Sequence, residues 1–499
     1  TKDSTLNYQN EAGTAGAVAP SADVAVDAEN NVLTVKSGAK AAGVEEAAAI
    51  ANDGKVLDIK AKTLKLTVDD TTSAVPLNYA RGIRAAGGTT TVAGTAEIEV
   101  GGAKESTAVH ATGGKVTLEG LRAKVNAAAA DAAVLLAQND GYIEANVKNN
   151  IPQIYDVMLD GHIAAKGTAS HVDAALTTKD SYLKGFAYGD GALRLWLQKG
   201  AAWHNEKQGE TLPTDFAGSH VSVLYGGSST NQAGAIFQKD DKPLTIDEYR
   251  GHANVFFAHD AKAPSTIKGG DIVIKKAFEG SKITLTTDNA GLNAGATATI
   301  KDKNLVSETL NALAGKLQYT EYKPGSSKLT GKVQIAEGLT MASQSLRLED
   351  ITFDEATGRG RYVYTPFTDP TGPVPSEFTT PITGNESKDV VYANAGIRKP
   401  DGRYVFTKDT TIRTDDSYTV DGGAWAAPTA PAISNVNTGK TLDIDLRGKK
   451  LNIEHKGSVT VVGINAIGGN TKVHVKNAGA ITISGTNTGS LYAPTLYVN

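Results

Sequence analysis

One short pattern recurs along the chain from about residue 45 to 200. AAAIANDGKVLDI (47–59), RGIRAAGGTTTV (81–92), TAVHATGGKVTL (107–118), AAVLLAQNDGYIEANV (132–147), IYDVMLDGHIAA (154–165) and GFAYGDGALRLWL (185–197) all carry it. A small or apolar pair comes first, then a polar turn containing glycine, then apolar residues at every second position. Alternation of this kind predicts strands with one buried face. The turn glycines are Gly54, Gly88, Gly114, Gly141, Gly161 and Gly191. Glycine at a fixed point in each unit predicts positive φ at the turn. Their spacing averages about 27 residues, the length that a parallel β-helix uses for one coil. A single coil cannot bury its own apolar side chains, so coils must stack. Stacking sets Val56, Leu57 or Ile59 over Val92, Val116, Leu118 and Ile143. Which of them face each other stays open, because a slip of one residue exchanges the faces. An array of antiparallel β-sandwiches is the competing reading of the same alternation.

The chain also repeats on a much longer period. TKDSTL (1–6) returns as TKDTTI (407–412), GKVLDIKAKTLKLTV (54–68) as GKTLDIDLRGKKLNI (439–453), and GIRAAGGTTTV (82–92) as GINAIGGNTKV (463–473). The offsets are 406, 385 and 381, in order, with about twenty residues missing from the second copy. The sequence therefore holds one repeat of about 400 residues and the first quarter of the next. Repetition of a module this large points to a fibre more than to an enzyme.

Composition narrows the class. Aromatic residues make up 6% of the 499 positions, and there are 53 glycines. Strands and tight turns built from Ala, Thr, Val, Gly, Asn and Asp suit that balance. The chain has no cysteine, which suits export through an oxidising compartment where a stray disulfide would block passage. Net charge is −4, and no basic run is interleaved with aromatics, so nucleic acid is not an expected partner. The longest apolar run, around Ala127–Ala137, is broken by Asp131 and is too short to span a bilayer.

Residues 193–290 read differently. LRLWLQKGAAWHN is followed by PLTIDEYRGHANVFFAHD and by GGDIVIKKAFEGSKITLTTDNAG. Trp196 and Trp203, then Leu244, Ile246, Tyr249, Gly251, Phe256 and Phe257, then Gly270, Asp271, Ile272, Ile274, Gly280 and Thr284, carry a resemblance over most of this stretch. It resembles the autochaperone, or capping, region of pertactin-like (type V) autotransporter passengers. The resemblance implies a region that closes the open end of a β-helix, with Trp196, Trp203, Tyr249, Phe256 and Phe257 covering its exposed backbone and apolar side chains.

Where that family continues into a helical linker and a membrane barrel, this chain departs from it. Val306, Leu310, Leu313 and Leu317 fall on one face of an amphipathic helix over 304–318, with Asn304 as N-cap and Gly315 near its end. TDPTGPVPSEFTTP (368–381) is a Pro-rich linker or extended edge. AGIRKPDGRYVFTKDTTI (395–412) predicts a hairpin turning at Asp401-Gly402. The expected layout is β-helix coils over 1–190, a capping region over 191–295, a junction module over 296–406, and a second β-helix beginning at 407.

No constellation for chemistry emerges. His110, His162, His171, His204, His220, His252, His259, His455 and His474 are dispersed, and no HExxH, GxSxG, P-loop or Rossmann pattern occurs. The carboxylate pairs Asp69-Asp70, Asp240-Asp241 and Asp415-Asp416 sit in turns and lack a calcium-loop signature. Asp160, Asp173 and Asp180 offer the best case for a polysaccharide-active groove on one coil face.

The expectation is an all-β, right-handed parallel β-helix (β-solenoid) with an autochaperone-like cap and a small mixed α/β junction between repeats. It predicts a segment of an autotransporter-like bacterial surface fibre, a stalk or adhesin, exported across the outer membrane. No catalytic residues, cofactor, metal or membrane contact are expected in this segment. The expected partners are neighbouring repeats of the same chain, lateral copies, and an unidentified surface ligand. A β-helical polysaccharide-active enzyme and a self-assembling surface-layer or sheath subunit are the alternatives.

Overall fold

The computed structural model describes residues 4–7, 19–37, 46–69, 78–126, 132–208, 213, 216–260, 263–288, 298–300, 303–325, 327–334, 339–341 and 348–362. Further on it describes 377–378, 397–398, 404–406, 409–415, 429–435, 440–457, 460–466, 472–487 and 496–498. The chain divides into two compact units. One is Thr1–Leu339 with Leu346–Val363, and the other is Thr340–Ser345 with Tyr364–Asn499.

The first unit is a parallel β-solenoid of about 11 turns. Each coil lays a strand on face one, bends, and lays a second on face two. The long strands Val56–Asp69, Thr89–Gly101 and Lys115–Val125 make both faces in one run, and their pairing skips residues at the bend. Coil length varies along the stack. The step from Gly234 to its partner Ala253 is among the shortest, that from Val172 to Leu193 is little longer, and the step from Ile272 to Leu317 is among the longest. The sandwich array is ruled out, since successive strands pair in parallel.

Register settles which aliphatics stack. On face one Leu57, Thr90, Val116 and Ile143 form one column. Ile59, Val92 and Leu118 begin the next, which continues through Ala145, Ala174, Leu195, Leu224 and Tyr249. All of these side chains are buried. Val56 faces outward and is exposed. Face two carries Leu159, Leu183, Trp203, Ile236, Val255 and Leu285 in one buried column. Burying one such side chain is worth roughly 1.5–3 kcal/mol, so each added coil stabilises the last.

A third face is built from Glu46–Asn52, Tyr79–Ala86, Glu105–Thr112, Ala133–Gln138, His162–Lys166 and Ala187–Tyr188. Its strands are buried with no alternation, which is why they read as small and apolar rather than as period-two. The sheet of the third face ends at Ala187–Tyr188, close to where the sequence pattern changes.

The turn glycines divide into two groups. Gly54, Gly88 and Gly161 have φ of 80°, 67° and 142°. Gly114, Gly141 and Gly191 are not in that region. They are required because a Cβ would strike the backbone of the coil before, as at Gly141, where it would lie 2.1 Å from the Ala111 carbonyl oxygen. At several of these turns a neighbour supplies the positive φ, as Gly113, Asn139 and Asp140 do.

The helix is Lys303–Gly315. Leu310 and Leu313 are buried, but Leu317 belongs to the next strand, Leu317–Tyr319, which pairs with Ile272–Ala277 and continues face one. Leu329–Gln334 continues face two. These two parallel strands of the solenoid fall inside the first part of the segment expected to be a junction. The antiparallel strand Leu348–Asp350 then pairs with Leu329–Gln334.

The second unit restarts the same plan. Tyr404–Phe406, Thr441–Asp445 and Lys472–Lys476 stack in parallel, as do Thr410–Asp415, Lys450–Gly457 and Ala480–Asn487, and Thr429–Asn435, Thr460–Ala466 and Leu496–Val498. Leu442, Ile444, Leu451 and Ile453 are buried like their counterparts Leu57, Ile59, Leu66 and Val68. Even a turn device recurs. The Asn52 amide donates to the carbonyls of Lys55 (2.8 Å) and Thr89 (3.1 Å), and the Asn435 amide to those of Lys440 (2.9 Å) and Lys472 (2.8 Å). Upstream, Ile397–Arg398 pairs antiparallel with Tyr404–Phe406, closing the expected hairpin, while its turn at 401–402 lies outside the described residues. So does most of the Pro-rich stretch 368–381, apart from the strand Glu377–Phe378.

Candidate contact surface on the side of the solenoid

Between Tyr142–Ala145 on face one and Val157–Asp160 on face two, the chain leaves the coil as a small hairpin. Val147–Lys148 pairs antiparallel with Ile151–Pro152. Asn149 and Asn150 form its tight turn with φ of 52° and 60°, values that asparagine tolerates well. Asn146, fully buried, fastens the base. Its amide donates to the carbonyls of Tyr155 (2.9 Å) and Ala175 (2.8 Å), and its side-chain oxygen accepts from the Tyr155 N–H at 3.1 Å.

A polar ladder holds the hairpin from beneath. Thr117, Glu144, Asp173 and Arg194 occupy one column on successive coils. Asp173 is fully buried and takes both ends of the Arg194 guanidinium, with Nε at 2.7 Å. It also accepts from the Tyr142 hydroxyl at 2.7 Å. Arg194 reaches on to the Asn150 side chain at 2.8 Å. Lys115 pairs with Glu144 at 2.9 Å and lies over the Tyr142 ring. Burial, with the Asp173 hydrogen bond, pushes the Tyr142 phenol far up, and the bond to Asp173 raises the Arg194 guanidinium further. Every charge here has a partner, so the arrangement is a clamp. Val147 meanwhile packs with Ala175 and Trp196, whose ring stacks on Tyr225 at 4.5 Å.

What the clamp holds out is apolar. Ile151 is 61% exposed, Ile154 77% and Tyr155 40%. Large hydrophobics at such exposure on a fastened hairpin are candidates for contact with a partner.

The residues singled out from sequence are not gathered at one point. Trp196, Trp203, Tyr249, Phe256 and Phe257 lie on strands that pair on both sides, so they pack between coils. Trp203 donates to the Gly185 carbonyl at 3.0 Å, and Tyr249 to that of Lys282 at 2.6 Å. Phe256 continues an outward ladder with His204 and Phe237, stacked at 4.6 and 5.0 Å. These rings turn their faces to each other, which leaves mainly edges to solvent. Asp160 is on face two, Asp173 on face one and Asp180 in a turn. They do not converge.

The histidines stay apart as well. His110 and His162 are buried on face three. Burial, aided for His110 by Arg81 and Arg84, holds their imidazoles down to about 3 and about 4. His220 meets Asp247 at 2.9 Å and His474 meets Asp443 at 3.1 Å. The side chains of His259 and His455 lie outside the described residues. Of the three carboxylate pairs only Asp240-Asp241 is described in full, and burial raises the Asp240 carboxyl. Among the described residues no group of three or more His, Asp or Glu is placed to hold a metal ion. Sequence reasoning missed the hairpin. Its signal was Asn149-Asn150 followed closely by Ile151, Ile154 and Tyr155.

Comparison with known proteins adds no relative: no family model, curated protein or solved structure matches the chain.

Proposed function

We propose that this chain is part of a repetitive, autotransporter-like fibre on a bacterial cell surface, exported across the outer membrane and acting as a stalk or adhesin. The observation that carries this reading is the restart of the coil plan in the second unit, down to the Asn52 and Asn435 turn bonds. A solenoid gains length by adding coils to a continuous column, and a repeated solenoid gains it again by adding units. The coils would supply length and stiffness. The antiparallel strand Leu348–Asp350, laid on the last parallel strand of face two, would end one ladder before the next begins. The raised hairpin with Ile151, Ile154 and Tyr155 would be a lateral contact point. Neighbouring repeats are the expected end-to-end partners, and the surface ligand is read no further than its need for an apolar contact.

The test is cryo-electron microscopy of the parent protein on its native cells. The fibre reading expects rods with a strand spacing of about 4.8 Å along the axis and a longer period matching one large sequence repeat. Compact separate particles, or a lattice of single subunits, would refute it.

A further inference from the structure

The two sequence copies differ by about twenty residues, and the strand pairing gives that number a meaning. In the first copy Ser4 and Leu6 pair with Leu33 and Val35, and these pair in turn with Leu64 and Leu66. The TKDSTL strand is therefore two coils away from the strand holding Leu66. In the second copy Thr410 and Ile412 pair directly with Leu451 and Ile453, the sequence counterparts of Leu66 and Val68. The TKDTTI strand is one coil away. Both strands lie on the same face of their own solenoid, the one that carries Leu66 and Leu451. The offset between copies falls from 406 to 385 across this interval. The first copy spends 29 residues from Ser4 to Leu33 and 31 from Leu33 to Leu64, and the second spends 41 from Thr410 to Leu451, so one coil's set of strands is lost while the turns between strands change length.

We propose that the whole coil is the unit by which this repeat gains and loses length. The physical reason lies in the columns. Removing a full coil sets each remaining side chain on an equivalent one, two positions along the stack. Removing part of a coil turns outward residues inward or moves a strand to another face. A lateral feature such as the 147–155 hairpin then keeps its face when a coil is lost, and its axial position shifts by one strand spacing, about 4.8 Å. The inference does not depend on where the protein is located or what it binds.

The test uses the full chain, which has no cysteine of its own. Deleting Leu57–Thr89 removes one coil, because Leu57 pairs with Thr90. The outward column Ala25, Asp58, Thr91 then loses its middle member. With Ala25→Cys and Thr91→Cys, the two sulfurs are two strand spacings apart in the intact chain, about 10 Å, too far for a disulfide. In the deletion variant they become neighbours. The expected result is a disulfide only in the deletion variant, with a cooperative thermal transition kept within about 5 °C of the parent. Deleting 57–72, about half a coil, should abolish both. A second full-coil deletion, Val116–Tyr142, which brings Lys115 to Ile143 where Val116 had been, should also keep its transition. Failure of both full-coil deletions to fold overturns the proposal. So does a full-coil variant that folds without forming the disulfide, or a half-coil variant that folds as well as either.

Discussion

Replacing Arg194 should cost more stability than replacing Arg194 and Asp173 together. Asp173 has no exposed surface, and its carboxylate is held by the Arg194 guanidinium and the Tyr142 hydroxyl. Arg194→Met leaves that charge buried with one hydrogen bond. Breaking a buried pair in this way costs about 3–5 kcal/mol. Arg194 keeps about a quarter of its side chain in solvent, so water can enter, and the lower end, about 3 kcal/mol, is the expected value. Asp173→Leu with Arg194→Met removes both charges and fills the space. It leaves the Tyr142 hydroxyl and the Asn150 side chain seeking partners, at about 1–2 kcal/mol. The double variant should therefore be the more stable of the two, by about 1–2 kcal/mol.

Hydrogen exchange at the amides of Tyr142–Ala145, His171–Leu176 and Ala192–Leu197 reads this locally, which matters because a solenoid need not unfold as one unit. Arg194→Met should also let the hairpin lift from Trp196, raising acrylamide quenching of tryptophan fluorescence. Additive losses, or a double variant weaker than Arg194→Met, would show that the ladder is a set of independent surface pairs and not a clamp.

Other outcomes follow from the same geometry. His110 and His162 are held neutral in the fold at about 3 and about 4, whereas an unfolded histidine titrates near 6.5. The unfolded chain therefore binds about two more protons than the fold between about pH 6 and pH 4. Stability to urea should fall there by up to about 2.7 kcal/mol per pH unit, and His162→Gln should remove about half of that slope. Gly141→Ala sets a Cβ 2.1 Å from the Ala111 carbonyl oxygen and should lower the thermal midpoint far more than Gly280→Ala, which meets nothing within 4 Å and costs only its positive φ, about 1–2 kcal/mol. Ile151→Ser with Ile154→Ser should change stability by less than about 0.5 kcal/mol and weaken adhesion of the parent fibre to its target surface. Unchanged adhesion would remove the hairpin from the contact surface.

Coil period, stacking and the repeat were legible because each leaves a one-dimensional trace. Leu57 and Ile59 alternate with Asp58 for the same reason that they fill adjacent columns, and Gly54, Gly88, Gly114, Gly141 and Gly191 mark the turn onto face one, whereas Gly161 marks the turn from face two to face three in the coil that Gly141 opens. Face three was less legible. Its strands are buried throughout, so Ala47–Ala51 and Ala133–Ala137 show no alternation and read as apolar pairs before a turn. The roles of Gly114, Gly141 and Gly191 were misjudged because close approach of a neighbouring coil is a long-range fact, invisible in a local turn pattern.

The same limit explains the clamp. Thr117, Glu144, Asp173 and Arg194 each stand a full coil from the next, and nothing near any of them in sequence marks it as special. Only register sets them in one column. In a solenoid, side chains meet at a separation fixed by the coil and not by the turn. A polar site is therefore found by reading the sequence in rows of one coil, and Asp173 and Arg194, joined across one coil, are such a pair. The aromatic residues illustrate the converse. The resemblance implied a covering role for Trp196, Trp203 and Tyr249, and register sets each of them on a strand with a parallel neighbour on both sides. Their bulk fills the interior between coils, where Trp203 and Tyr249 stand in the places that Leu183 and Leu224 hold one coil earlier.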